Sequence, residues 1–165
     1  MRLLTLIGAG TLVVVPAVFW LSPEWVRAAG PALATIGDLP IVVDQRARLL
    51  GAAATLPSVL LGLLAMWHLW RLFGEYHGGR VFALAAQRHL RSFAAAMLAS
   101  ALLAPLLRAA VGVALTWGNP PGQRVLALTL SWNDYTAVLC GAVLLAVAAV
   151  MADAVRLAEE NEGFV

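Results

Sequence analysis

Apolar residues fall in four long blocks, separated by short stretches that hold most of the charge. Leu3 to Leu21 has no charged side chain, and Leu49 to Trp70 has no Arg, Asp or Glu. Ser92 to Trp117 holds a single charge, Arg108, and Tyr135 to Ala152 runs uncharged between Asp134 and Asp153. A helix needs about 20 apolar residues to cross about 30 Å of hydrocarbon. A spanning segment must also satisfy its own backbone, which leaves helices as the form. The pattern predicts an all-α integral membrane protein, a single domain over 1–165, with four transmembrane helices at about 3–21, 49–73, 92–117 and 135–157. An amphipathic cytoplasmic tail, 153–165, continues the last helix into water. The first block is longer than a signal-peptide core and no clean small-residue cleavage site follows it, so it reads as a retained span.

The two loops on one side of this layout are not plain turns. The first, Ser22 to Arg48, has turn-prone Ser22-Pro23 and Gly37-Asp38-Leu39-Pro40, then the β-branched run Ile41-Val42-Val43. The second opens with Asn119-Pro120-Pro121-Gly122 and then alternates. Arg124, Leu126, Leu128, Leu130 and Trp132 lie on one side, with Val125, Ala127, Thr129 and Ser131 on the other. Period two sustained from Arg124 to Trp132 is a strand signal. Two readings stay open: a small extracytoplasmic β element joining the loops, or an early start of the fourth helix.

Composition agrees with the membrane reading, in which the lipid bilayer is the chain's main partner. Apolar residues make up 62% of the chain and charged residues 12%, with a mean hydropathy of +0.86. Soluble domains have roughly 45–50% apolar and about 25% charged residues. A soluble enzyme, a disordered tail and a nucleic-acid-binding domain are excluded. All 11 basic residues are arginine. With the N-terminus inside, Arg2, Arg71, Arg80, Arg88, Arg91 and Arg156 are cytoplasmic, whereas Arg27, Arg46, Arg48 and Arg124 are outside. The excess predicts cytoplasmic N- and C-termini. Aromatic residues cluster at the span ends: Trp20 and Trp25, Trp67 and Trp70, Trp117, Trp132 and Tyr135. They read as an interfacial belt. Cys140 lies in an apolar run and reads as a buried, inert thiol.

Arg108 carries the most information of any single residue. Counted from the outer end of its span, it lies roughly 13 Å deep. Inserting a central arginine costs at least ~2.5 kcal/mol, so it should face a bundle interior or a polar cavity. Its expected partners are Ser100, Thr116, the carbonyl freed by Pro105, or the carboxylate of Asp134. An anion site, a gating pair and a structural pair between helices remain open. Small residues on the fourth span, Ala137, Gly141, Ala142, Ala146 and Ala149, would allow close helix approach or a homo-oligomer. The histidines give no metal spacing: His68 and His89 differ in expected depth by roughly 12 Å, and no Cys-x-x-Cys accompanies them. Neither a catalytic constellation nor a cofactor is expected.

Two stretches carry a resemblance. One is Leu72-Phe73-Gly74-Glu75-Tyr76-His77-Gly78-Gly79-Arg80-Val81-Phe82, between the second and third spans. The other is the ending Asp153-Ala154-Val155-Arg156-Leu157-Ala158-Glu159-Glu160-Asn161-Glu162-Gly163-Phe164-Val165. With the four-span layout, they resemble a bacterial four-helix membrane-protein family of unknown function, the one numbered 2975. The family pattern has a Ser or Thr helix cap where this chain has Ala83, a departure that bears on the helix start there. The resemblance implies no enzyme activity. It implies a regulatory or sensory membrane partner of a small helix-turn-helix transcription regulator. The contact face would be Phe73, Tyr76, Arg80, Phe82 and Arg88 with the tail residues Glu159, Glu160, Glu162 and Phe164. The competing classes are a small transport or channel component using Arg108, and an accessory subunit of a larger membrane complex.

Overall fold

The computed structural model describes residues 2–37, 39–78 and 83–162, and the side chains of all of these except 2 and 158–162. Its elements are α1 (Arg2–Leu21), α2 (Pro23–Ala34), α3 (Gln45–His77), α4 (Leu84–Thr116) and α5 (Trp132–Glu162). All but α2 are long and apolar enough to cross a membrane. The chain is a multi-pass membrane protein.

The spanning helices pack antiparallel in the order α1 on α3, α3 on α4, α4 on α5. α4 is the central helix: 39% of its most apolar window is buried, against 11–17% in the other three. Its contact with α5 is a heptad stripe. Asp134, Val138, Gly141, Leu145, Ala148, Ala152 and Val155 are buried or half-buried, spaced alternately four and three positions apart. A Cβ on Gly141 would stand 2.9 Å from the Leu98 Cα, so the two helices meet backbone to backbone there. Of the small residues expected to pack, Gly141 does. Ala137, Ala142, Ala146 and Ala149 point outward, because the heptad stripe and not the small-residue count sets the buried face. Cys140 is also on the outer face, exposed where burial was expected.

The sequence reading treated 22–48 as loop, yet its first part is α2. Ser22 stands in extended conformation at the N-cap, Pro23 fills the first turn and Glu24 follows, which is a helix-start signature. Val26, Gly30 and Ala34 form its buried face. Thr35 closes α2 at φ 57°. Its N–H donates to the Ala32 carbonyl and that of Ile36 to the Pro31 carbonyl, a Schellman pattern in which glycine is the usual residue.

At the end of the bundle where α2 lies, a core gathers Trp20, Val26, Ala34, Ile36, Val111 and Leu115, with Ile41, Val43 and Ala127 packed against it. Trp20 is therefore a core residue and not part of an interfacial belt; its indole Nε1 donates to Thr55 Oγ1 at 3.1 Å. The anticipated β element is absent among the described residues. Both extended segments bond to the C-terminal end of α4 instead of to each other. On the other side, α4 begins at Leu84 with Ala83 at its N-cap and no side-chain cap bond. Gly141→Val should lower the detergent melting temperature, corresponding to about 1–3 kcal/mol of overpacking. Gly10→Ala, where a Cβ meets nothing within 4 Å, should not lower it and should raise it slightly, by the helix-propensity gain of up to about 1 kcal/mol, as a thermal unfolding series would read.

Candidate functional site

α4 runs past the level at which α5 begins, and this sets the site. The last carbonyls of a helix lack intrahelical donors. Here Leu115 O accepts from Val42 N at 3.1 Å and Thr116 O from Asn119 N at 3.0 Å. Thr116, fully buried, donates its hydroxyl to Gly112 O (2.8 Å) and accepts from Val125 N (3.2 Å). Asn119 donates through Nδ2 to Pro40 O and to Gln123 O, tying the segments before α3 and after α4 to one helix end.

From Val125 the chain turns back along α4. Val125 sits at Thr116, and Thr129 O accepts from Arg108 Nη2 at 3.4 Å. Eight residues of helix rise about 12 Å, and four extended residues cover about 13 Å, so the two match. Val125, Ala127 and Thr129 are half-buried against α4, while Leu126, Leu128 and Leu130 are exposed. The period-two pattern was real, but its partner is a helix.

This return brings α5 to the Arg108 level. Ser131 and Asp134 form a reciprocal cap. Ser131 N and Ser131 Oγ each donate to Asp134 Oδ2 at 2.7 Å, and Asp134 N donates to Ser131 Oγ at 3.3 Å. A carboxylate at the third helical position completes a capping box and faces the positive end of the helix dipole. Arg108 Nη2 makes an ion pair with the same oxygen. Asp134 is 8% exposed and Arg108 26%. Arg108 therefore lies beside the start of α5, eight residues before the end of α4. Asp134 neutralises its charge.

Below the pair is a cavity of about 790 Å³, bounded by α1, α2, α3 and α4. Leu12, Phe19, Trp25, Met66 and Met97 form much of its wall, with Ser100 and Arg108 on the α4 side. Of the four residues expected to share a polar site, Arg108 and Asp134 are joined. Ser100 lies two turns along α4 from Arg108 and lines the cavity, and Thr116 belongs to the separate network around Asn119. Ser131 was missed, although Ser-x-x-Asp before an apolar run was legible as a cap.

At the other end, Phe73 is half-buried and Tyr76 and Arg88 are exposed. Arg80, Phe82 and Phe164 lie outside the described residues, as do the side chains of Glu159, Glu160 and Glu162. Nearby, His68 Nδ1 and His89 Nδ1 are 3.1 Å apart, and Trp67 packs edge-on against both rings. The expected mismatch in their depths fails because hairpin register, not the edges of the apolar blocks, sets which residues meet. No group of three or more metal-ligating side chains is present among the described residues.

A family sequence model described as "Protein of unknown function (DUF2975)" matches residues 38–164. The chain belongs to this family. DUF2975 membership covers α3, α4 and α5 with the segments before α3 and between α4 and α5, the part that contains the Arg108–Asp134 pair. The resemblance read from the middle loop and the tail is thereby established. No curated protein and no solved structure matches the chain.

The pair makes a direct prediction. Arg108→Leu leaves Asp134 without its cation, and Asp134→Leu removes the cap as well as the pair. Each single variant should melt earlier in detergent than the wild type. The double variant should melt later than the sum of the two losses predicts, because residues in one network couple. Strict additivity in the cycle would contradict the pairing.

Proposed function

We propose that this protein is a non-catalytic regulatory or sensory component of the bacterial inner membrane, with cytoplasmic N- and C-termini. It relays a change at its outer cap to a cytoplasmic partner, a small helix-turn-helix transcription regulator. The observation that carries this reading is the α3–α4 pair. Each helix has 33 residues, about 50 Å of rise, against about 30 Å of hydrocarbon. One antiparallel hairpin thus connects the outer core directly to the inner loop. Displacing one end of a packed helix pair moves the other, since packed interfaces switch between discrete arrangements more readily than they deform.

The partner face of the proposal is the inner loop with the tail: Phe73, Tyr76, Arg80, Phe82 and Arg88 opposite Glu159, Glu160, Glu162 and Phe164. Exposed ion pairs contribute about 0–1 kcal/mol each. Burial of an aromatic such as Phe164 would add about 1.5–3 kcal/mol. The choice of a transcription regulator rests on the resemblance, and the arginine excess near the inner loop supports the orientation. A transport role for Arg108 would need its guanidinium free toward a polar path. The Asp134 pairing supports the regulatory reading over that one.

Orientation is checked with single cysteines in a Cys140→Ala background. Gln123→Cys should react with an impermeant maleimide from outside the cell, and Gly78→Cys should react only after permeabilisation. The reverse pattern would invert the topology. For the partner, a detergent pull-down of the full-length protein should recover a small helix-turn-helix protein. Deleting Gly163 to Val165 should reduce that recovery about tenfold without changing membrane yield. Equal recovery from both forms would remove the tail from the contact face.

A further inference from the structure

We infer that the His68–His89 contact is an acid-sensitive latch across the α3–α4 hairpin: it ties the two helices near neutral pH and releases when both rings are protonated. His68 stands nine residues before the end of α3 and His89 five residues after the start of α4. The contact therefore lies toward the loop that joins them. On α3 it falls between Ala65 and Leu72, the buried residues of that half of the helix. On α4 it falls between Ala86 and Ala94, both buried. Three of these four neighbours are alanines, so little apolar surface is buried there. The histidines are the polar tie in this stretch, and both are half-buried, so protons reach them.

The chemistry of the tie sets its response. His68 Nδ1 and His89 Nδ1 are 3.1 Å apart, a contact that binds only when one nitrogen carries hydrogen and the other a lone pair. A first added proton goes to Nε2 of the donor ring, and the bond survives. A second takes the lone pair of the acceptor Nδ1. Two N–H donors then face each other, on two cations whose ring centroids are 5.4 Å apart. Neither ring has another hydrogen-bond or ion-pair partner among the described residues, so no carboxylate offsets that charge. The charged and titratable groups toward this end are Arg71, Glu75 and His77 on α3, Arg88 and Arg91 on α4, and Asp153 and Arg156 on α5, which packs on α4. α1, which packs on α3, has none from Leu3 to Leu21. The Arg71 guanidinium lies 5.4 Å from the ring centroid of Trp67, which packs on both histidines, and it adds to the repulsion. The bond is complete above the histidine range and is lost as pH falls through it, from about 7 to about 5. This deepens the regulatory reading, on which it rests for its consequence: acid acts on the same helix pair from its loop end.

The test places spin labels at the exposed positions Tyr76 and Ala85, through Tyr76→Cys and Ala85→Cys in a Cys140→Ala background, with the full chain in lipid nanodiscs. With both histidines present, the label separation should lengthen by about 2 Å, the scale of shifts between packed helices, on going from about pH 7.5 to about pH 5. His68→Asn and His89→Asn should each abolish the pH response, whatever separation they show. His77→Gln should retain it. A separation that does not change with pH when both histidines are present overturns the latch, whether or not the variants fold. So does a response that persists in either folded Asn variant, or one that His77→Gln removes. The regulator pull-down at neutral pH is read separately, so a failed latch leaves that reading standing.

Discussion

The C-terminal end of α4 must satisfy its terminal carbonyls and an arginine while most of its surface is packed. Ala109, Val111, Gly112, Ala114, Leu115 and Thr116 are all buried there, so water is not the general partner. Protein groups fill most of the role: Val42 and Asn119 on the carbonyls, Val125 on the Thr116 hydroxyl, and Asp134 on Arg108 Nη2, while Arg108 Nε is buried without a hydrogen-bond partner. An unmet buried polar group costs about 1–3 kcal/mol. This requirement explains why two irregular segments are held in fixed extended forms without a sheet.

The Arg108–Asp134 pair joins local and tertiary structure. Asp134 caps its own helix through Ser131 and anchors α5 to α4 with the same oxygen. The return of residues 125–131 along α4 places that cap at the correct height. Below it, the heptad stripe on α5 continues the contact, with Gly141 set against the Leu98 backbone. Paired and capped, the arginine serves as a joint between helices. The apolar gap bounded by α1, α2, α3 and α4 lies beside this joint.

Much of this was legible along the chain. The four apolar blocks located the spans, the alternation after Gly122 identified an extended run, and the inner loop with the tail indicated the family. Asp134 was also among the partners expected for Arg108. Other features were legible but passed over. Ser22-Pro23-Glu24 signals a helix start, and Ser131 with Asp134 signals a cap. Trp20 was assigned to the interface because aromatic residues favour that depth, yet Gly51 leaves room for its ring: a Cβ on that glycine would run into the Trp20 indole.

The sequence by itself determined the number of spans, because the length of an apolar run is a local property and the bilayer fixes the length required. It also determined that Arg108 needed a partner, because an unpaired charge in that setting is costly. The tertiary structure alone decided how the helices stand against one another. The Arg108–Asp134 contact depends on where α5 begins beside α4, and the His68–His89 contact depends on hairpin register. The extended loop pairs with a helix because α4's carbonyls were the unsatisfied groups within reach. Each is set by the relative height of two helices, a quantity that residues distant in sequence fix together and no single segment encodes.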